Sequence, residues 1–370
     1  MAFPSNTTTC VICATVLVKN GRTAAGTQRW RCPNCGSSAV RKRPDVTRRE
    51  QLRRFLEWLS SNEPQPRLGD TSTGRSFRYE TAWCWDIQPT LGPSTKTHHA
   101  ILVDGLWVGT WCLLIAVSDQ LDVLGWQWCG SESVAAWTAL LQQIPAPAVI
   151  VSDGGTGLPS AIRKCWPETK HQRCLFHIQM NISRHLTFKP RTDAGRALLG
   201  LSKALSKVHT TDDAIQWRVQ LDQWWQAFGH LTKERTVIRD GKFWFTHERL
   251  RKAWQLLARV TKDGTLFTYV TYGNPRTTSP LEGGINAQIR ARLRAHRGMT
   301  EPHMKRAAEW YLTLHELSIN DALSHANQHT ANPTHPTPES AEEPDTPTLY
   351  DTGLNAEEGL WTRAGWAGRS

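Results

Sequence analysis

Residues 99–130 constrain the fold of this chain more than any other stretch. They read HAILVDGLWVGTWCLLIAVSDQLDVLGWQWCG, three apolar runs parted by short breaks. Runs of this length, rich in β-branched and aromatic residues, favour strands over helices, and breaks of two to five residues make the three an antiparallel meander. Asp104 interrupts the first run with a bare carboxylate, which is costly to bury without a partner. Either it turns to solvent at a strand end or something cationic sits on it. Asp119 and Asp122 fall in the second break and read as turn residues.

The 370 residues suffice for two or three domains. The formal net charge of +11 is uneven: residues 331–370 hold seven acidic residues against two Arg, so the excess positive charge lies in the body. Such a body favours a polyanionic partner, most often nucleic acid, over a merely soluble basic enzyme. The first residues, MAFPSNTTTC, lack a basic-then-apolar export pattern, and the longest uncharged run, 105–118, is too short to span a membrane. A cytoplasmic protein with no membrane contact is expected. Nine cysteines then argue for reduced thiols and a metal site rather than disulfides.

Cys10-x2-Cys13 and Cys32-x2-Cys35 are separated by eighteen residues. Each pair turns tightly enough for two thiolates to face one ion, and two such knuckles complete a tetrahedron, so residues 1–43 read as a zinc ribbon with one structural Zn²⁺. Arg29, Trp30, Arg31 and 41–43 are basic and aromatic; a phosphate contact and a solvated face fit them equally. Thr47-x-x-Glu50 has the form of a capping box, and Leu52, Phe55, Leu56 and Leu59 continue as a helical stripe. A second helix over 76–86 anchors on Phe77, Trp83 and Trp85 and exposes Arg75 and Arg78. Residues 44–95 therefore resemble a helix-turn-helix DNA reader, though an ordinary helical hairpin fits almost as well.

After the meander come a helix over 131–144, a strand over 148–151 leading into Asp153-Gly154-Gly155, a helix over 158–166, a strand over 170–175 and a helix over 176–186. The order β-β-β-α-β-α-β-α, antiparallel first and parallel later, is that of the ribonuclease-H-like mixed sheet. The expected class is α/β, with a core over 96–188 and 273–320 and an all-α insertion over 189–272. Residues 331–370, rich in Pro, Thr, Glu and Asp, read as a disordered acidic tail. In the insertion, Trp217, Trp224 and Trp225 fall on one apolar face, where core packing is favoured over base stacking.

On such a sheet the first and fourth strands are neighbours, so Asp104 approaches Asp153. Close carboxylates repel unless a divalent cation neutralises them, and hard oxygen ligands suit Mg²⁺ or Mn²⁺. Glu282, in TTSPLEGG, enters a late helix with glycines that admit a polyanion. Each acid alone also reads as a turn, loop or first-turn residue; together they read as a site for two divalent ions.

The blocks HAILVDGLWV, VIVSDGGTGL, RCLFHIQMNISRHL and SPLEGGINAQIRARLRAHRGM resemble, in sequence and order, those of Mutator-like bacterial insertion-sequence transposases. The resemblance spans about residues 10–317. It implies a DDE transposase that binds the terminal inverted repeats of its element and carries out metal-dependent strand cleavage and strand transfer. It assigns two Mg²⁺ or Mn²⁺ ions to Asp104, Asp153 and Glu282. It also matches Cys174-x2-His177 to the family's Cys-or-Asp, two residues, His motif, for which packing and a catalytic contact remain equally open. Arg290, Arg294 and Arg297 would hold phosphates, and pairing two DNA ends implies a homo-oligomer on the nucleoid. The rival expectations are a hydrolysis-only nuclease of the same fold and a domesticated DNA-binding regulator.

Overall fold

The computed structural model describes residues 9–10, 13, 15–39, 44–63, 74–92, 94–155, 157–237 and 242–323. The expected acidic tail and the Arg41–Arg43 cluster lie outside them. The chain divides into two units, the first comprising residues 1–58 and 65–86, the second 59–64 and 87–370.

In the first unit β1 (Val18–Arg22), β2 (Gln28–Arg31) and β3 (Ser38–Ala39) form an antiparallel sheet in that order. Then come α1 (Pro44–Ser60), α2 (Arg75–Thr81) and a 3₁₀ turn, Ala82–Asp86. Because α1 starts at Pro44, Thr47 is inside the helix and the expected capping box is not its start. Proline at the first helical position, with its fixed φ and no N–H to satisfy, opens the helix instead. Leu52, Phe55 and Leu56 are buried as the stripe requires. Phe55 and Trp58 meet Phe77 and Trp85 in edge-to-face contacts with centroids 4.7–6.1 Å apart, so aromatic packing holds the two helical segments together.

The second unit is organised by a five-stranded mixed sheet in the order β6-β5-β4-β7-β8. Its strands are β4 (Ala100–Val108), β5 (Trp111–Ser118), β6 (Val123–Cys129), β7 (Val149–Ser152) and β8 (Lys170–Arg173). The first three form the expected antiparallel meander, whereas β7 and β8 run parallel to β4. A two-residue turn joins β4 to β5, with Gly109 at φ +62°, the left-handed position that favours glycine. At the next turn the Ser118 hydroxyl donates to Asp122 (2.9 Å), so Asp119 and Asp122 are turn residues as expected.

α3 (Val134–Leu141) lies between β6 and β7 and α4 (Leu158–Cys165) between β7 and β8, and α5 (Leu175–Leu186) follows β8, which completes the expected element order. Side chains alternate across the sheet. Ile101, Val103, Leu114 and Ile150 pack on Trp137, Leu140, Leu158 and Ile162 of α3 and α4. Leu102, Leu106, Ile115 and Val151 pack on Leu281, Ile285, Ile289, Ala308 and Leu312 of the late helices. Asp104, two residues from both Leu102 and Leu106, therefore points to the late-helix face.

The insertion carries α6 (Asp193–Ala204), α7 (Thr211–Phe228), a hairpin of β9 (Arg235–Val237) and β10 (Phe243–Phe245), α8 (Glu248–Lys262) and α9 (Thr268–Tyr272). The hairpin corrects the expectation of an all-α insertion. Helical spacing stops after Phe228, and the aromatic run Phe243-Trp244-Phe245 suits a strand. Guanidinium groups brace it, with Arg235 4.2 Å from the Phe243 ring centre and Arg251 3.7 Å from that of Phe245. The chain then returns through α10 (Ser279–Leu281), a π-helical turn over Glu282–Asn286, α11 (Ala287–Ala295) and α12 (Glu301–Glu316).

Trp217 and Trp224 are buried and donate their indole N–H to the carbonyls of Leu201 and Ala194, each at 2.9 Å. Trp225 stacks on Trp254 with centroids 3.9 Å apart. Core packing is thus their role in this fold. Replacing Trp217 or Trp224 by Phe removes both volume and a hydrogen bond. Each is expected to cost about 1–3 kcal/mol, read as a lower denaturant midpoint.

Candidate active site and cysteine cluster

Within the first unit, Cys10 Sγ lies 3.5 Å from Cys35 Sγ and Cys13 Sγ 3.4 Å from Cys32 Sγ. All four sulfurs lie within 4.8 Å of one another. Backbone bonds shape each knuckle: Cys10 N donates to Thr15 O and Gly36 N to Cys32 O, with Gly36 at φ +72°. Hydrogen bonds from Thr15 lower the Cys13 thiol to about 6. A backbone bond from Ser37 favours the Cys35 thiolate, but the Cys10 sulfur and burial push that thiol up to about 12. Arg29, Arg31, Arg75 and Arg78 are exposed.

In the second unit the parallel ladder builds the site. Val103 of β4 pairs with Ser152 of β7, which pairs with Arg173 of β8. The residues that follow are Asp104, still within β4, and Asp153 and Cys174, just past the ends of β7 and β8, a row at the carboxyl ends of the three strands. Crevices at the carboxyl ends of parallel strands are where open α/β sheets hold ligands. His177 adds a ring from the first turn of α5, and the π turn supplies Glu282.

Glu282 closes a tight local network. His177 Nδ1 is 3.7 Å from Glu282 Oε1, the Thr278 hydroxyl donates to the same oxygen, and Thr278 N donates to Cys174 Sγ at 3.3 Å. Ligand atoms of Cys174, His177 and Glu282 lie within 4.8 Å of one another. Among the described residues no such compact set contains Asp104, Asp153 and Glu282 together. Those three are linked instead by their charges. Burial pushes the Asp104 carboxyl well above the usual range, and Asp153 and Glu282 push it further. Its hydrogen-bond partner is neutral: Asn286 Nδ2 donates to Asp104 Oδ2 at 2.6 Å. Glu282 is not the first residue of its helix, as expected from sequence, but lies in the π turn, a distortion frequent at functional sites. Space beside Gly283 and Gly284 is open.

Burial opposes a charge on His177, yet the Cys174 sulfur, Asp153 and Glu282 outweigh it and raise its pKa to about 10. Burial likewise opposes a Cys174 thiolate, but His177 and Thr278 lower that thiol. Arg173 Nη2 donates to Asp153 O at 2.8 Å and fills the space where a Gly154 side chain would stand, Gly154 having φ +94°. Arg290 and Arg294 are exposed on α11 and Arg297 is exposed beyond it. Along a helix rising 1.5 Å per residue, the first two stand about 12 and 18 Å from Glu282.

The model of the Mutator-family transposases matches residues 110–257. Three relatives are transposases of insertion-sequence elements. That of IS905 from Lactococcus lactis subsp. lactis (strain IL1403) is 32% identical over 114 residues, 28% of each chain. That of ISRM5 from Rhizobium meliloti (strain 1021) is 28% identical over 183 residues, 46% of this chain and 45% of its own. That of IS6120 from Mycolicibacterium smegmatis is 25% identical over 178 residues, 45% of this chain and 46% of its own. These findings support a Mutator-like insertion-sequence transposase. The chain spans between 28% and 46% of the length of these relatives. The matched segment includes Asp153, Cys174 and His177 and leaves Asp104 and Glu282 outside it.

Sequence reasoning missed four groups at this site: Thr278, Asn286, Arg173 and Glu132. Asn286 sits four residues after Glu282, a spacing that puts both on one helical face. Glu132 precedes the Ser133 cap of α3 and looks like any exposed helix-entry acid. Burial, and then Asp153, raise its pKa from 4.5 to about 8.

The unfolded chain releases the Glu132 proton near 4.5, whereas the folded chain keeps it until about 8. The folded form binds the extra proton between those values, so this contribution is full below 4.5 and is lost as pH rises through 8. Without divalent ions, melting temperature is expected to fall from pH 5 to 8 more steeply in wild type than in Glu132→Gln.

Proposed function

We propose that this chain is a DNA transposase of the DDE type, whose ribonuclease-H-like core holds two Mg²⁺ or Mn²⁺ ions between Asp104, Asp153 and Glu282. The observation that carries this reading is the row of Asp104, Asp153 and Cys174 across three parallel strands with Glu282 facing it, within a Mutator-like sequence. The donor set fits such ions: hard carboxylate oxygens, partly or wholly buried, whose mutual repulsion a divalent cation relieves. When bound there, such ions would supply the Lewis-acid chemistry of an in-line displacement at phosphorus, activation of the nucleophile and stabilisation of the leaving oxygen.

The chain's own residues divide the remaining work. Asp104, fixed by the Asn286 amide, and Asp153, following the end of β7, hold the row. Glu282 closes it from the late-helix side, oriented by the Thr278 hydroxyl. His177, protonated beside Glu282 and the Cys174 sulfur, offers a cationic N–H to a scissile phosphate. Cys174 holds that imidazole in place. The open surface at Gly283 and Gly284 lets a DNA backbone approach. Arg290, Arg294 and Arg297 extend the phosphate track.

Cleavage would free a 3′-hydroxyl at the element end, and the same in-line displacement on target DNA would join it. The first unit would bind the terminal inverted repeats, through Arg75 and Arg78 of a helix-turn-helix-like segment, with its four cysteines on one Zn²⁺. Synapsis of two ends requires a homo-oligomer, and the site of action is the bacterial nucleoid in the cytoplasm. Among the described residues no helix is long and apolar enough to cross a membrane.

Asp104→Asn, Asp153→Asn and Glu282→Gln are each expected to abolish Mg²⁺-dependent cleavage of a labelled element end while leaving its gel-shift affinity intact. Cleavage by any of them would overturn the assignment. Pre-cleaved ends separate this reading from a hydrolysis-only nuclease, since only a transposase joins them to target DNA. Purified protein is expected to carry one zinc by elemental analysis. Cys32→Ala should remove it and abolish end binding without changing Mn²⁺ affinity.

A further inference from the structure

We propose that Glu132 is a fourth acidic ligand of the active centre, sharing with Asp153 the divalent ion held on that side of the row. This rests on the two-metal reading above and adds to it a residue from a different element.

Two glycines carry the inference. The residue after Asp104 is Gly105, and its side-chain position faces the α3 side of the sheet, opposite to Asp104. A Cβ there would lie 2.6 Å from Glu132 Oε1. The second residue after Asp153 is Gly155, where a Cβ would lie 2.3 Å from Glu132 Oε2 and 3.6 Å from Asp153 Oδ1. At either position a methyl group would displace the Glu132 carboxylate from where it stands. Both strand segments that deliver an active-site aspartate thus leave out a side chain where the Glu132 carboxylate stands. Gly155 carries no positive φ in this fold, so backbone freedom does not explain it. What the missing atoms do is seat a carboxylate beside Asp153.

Glu132 is also held in place. Ser133, the next residue, caps α3 by accepting from Ala136 N at 3.2 Å, which fixes the backbone at the helix entry. Cys112 Sγ of β5 stands 4.0 Å from Glu132 Oε1. Position 132 therefore delivers its oxygens from the α3 face, whereas Glu282 delivers its own from the late-helix face. An ion seated at Asp153 would meet carboxylates from both sides of the sheet. A hard cation that keeps several waters needs such oxygens fixed in advance, and a rigid helix entry supplies one.

Metal binding by the full chain tests this apart from catalysis. Mn²⁺ affinity, by calorimetry and by the electron paramagnetic resonance of free Mn²⁺, should fall about 10–100-fold in Glu132→Gln. Glu132→Asp should recover part of the loss. The Mg²⁺-induced rise in melting temperature should shrink in step. Gly155→Ala should weaken Mn²⁺ binding in wild type, yet add nothing in a Glu132→Ala background, where the added methyl has room. Unchanged affinity in Glu132→Gln, with Asp153→Asn weakened, would overturn the inference and leave the two-metal reading standing. Unchanged affinity in both variants would overturn both. An equal Gly155→Ala effect in the two backgrounds would also overturn the inference, since the glycine would then serve something other than Glu132.

Discussion

The site depends on the parallel pairing of β4 with β7. β4 is the middle strand of the sheet: it pairs antiparallel to β5 from Ile101 to Val108 and parallel to β7 only up to Val103 and Ser152. Where that second ladder ends, two aspartates stand side by side in an apolar sheet. Hydrophobic burial of residues 100–103 and 149–152 drives the strands together, and it drives two like charges together as well. A sheet of this kind is more stable with Asp104 protonated or with a cation present. The cost is built into the topology, because a one-residue shift of register would move every β4 side chain to the wrong face.

Much of this was legible in the sequence, for a physical reason. Apolar runs of strand length and their breaks report the meander directly, and the change from short breaks to helical crossovers reports the change from antiparallel to parallel pairing. Asp104 stood out because it breaks an apolar run. The insertion tryptophans were equally legible, since helical spacing placed Trp217 and Trp224 on the buried face they occupy. The hairpin at Arg235–Val237 and Phe243–Phe245 was not legible: three-residue strands carry too little period to be distinguished from the helices on either side. Thr47 shows the opposite failure. Its local pattern suits a helix start, but a helix beginning at Pro44 passes through it. The capping box that the fold does use is Thr210 with Asp213, at the start of α7.

Glu132 was invisible for a different reason. Acids at a helix entry are common and are usually solvated, favoured there by the helix dipole. Nothing in Gly130-Ser131-Glu132-Ser133 distinguishes a solvated acid from one tucked beneath a sheet. Its partners, Gly105 and Gly155, are 27 and 23 residues away in sequence, and each reads locally as a turn glycine after an aspartate. Only the fold shows that what they share is an omitted side chain.

The same crowding explains why the site is divided between neutral and charged supports. Asp104, buried in the sheet, is held by the neutral Asn286 amide, which accepts either protonation state. Glu282, nearer the surface, is approached by His177, whose imidazole gains its proton through Cys174 as well as the acids. A fixed cation on Asp104 would satisfy it permanently and compete with a divalent ion. An amide preserves its position and leaves its negative charge to be claimed. His177, by contrast, carries its positive charge where, on the proposed reading, a phosphate would arrive. The π turn lets one helical segment supply both an acid and the neutral support of another, because Glu282 and Asn286 begin and end it while the two glycines between them keep the approach open. An ordinary side chain at 283 or 284 would narrow the path along which a polyanion reaches the acids.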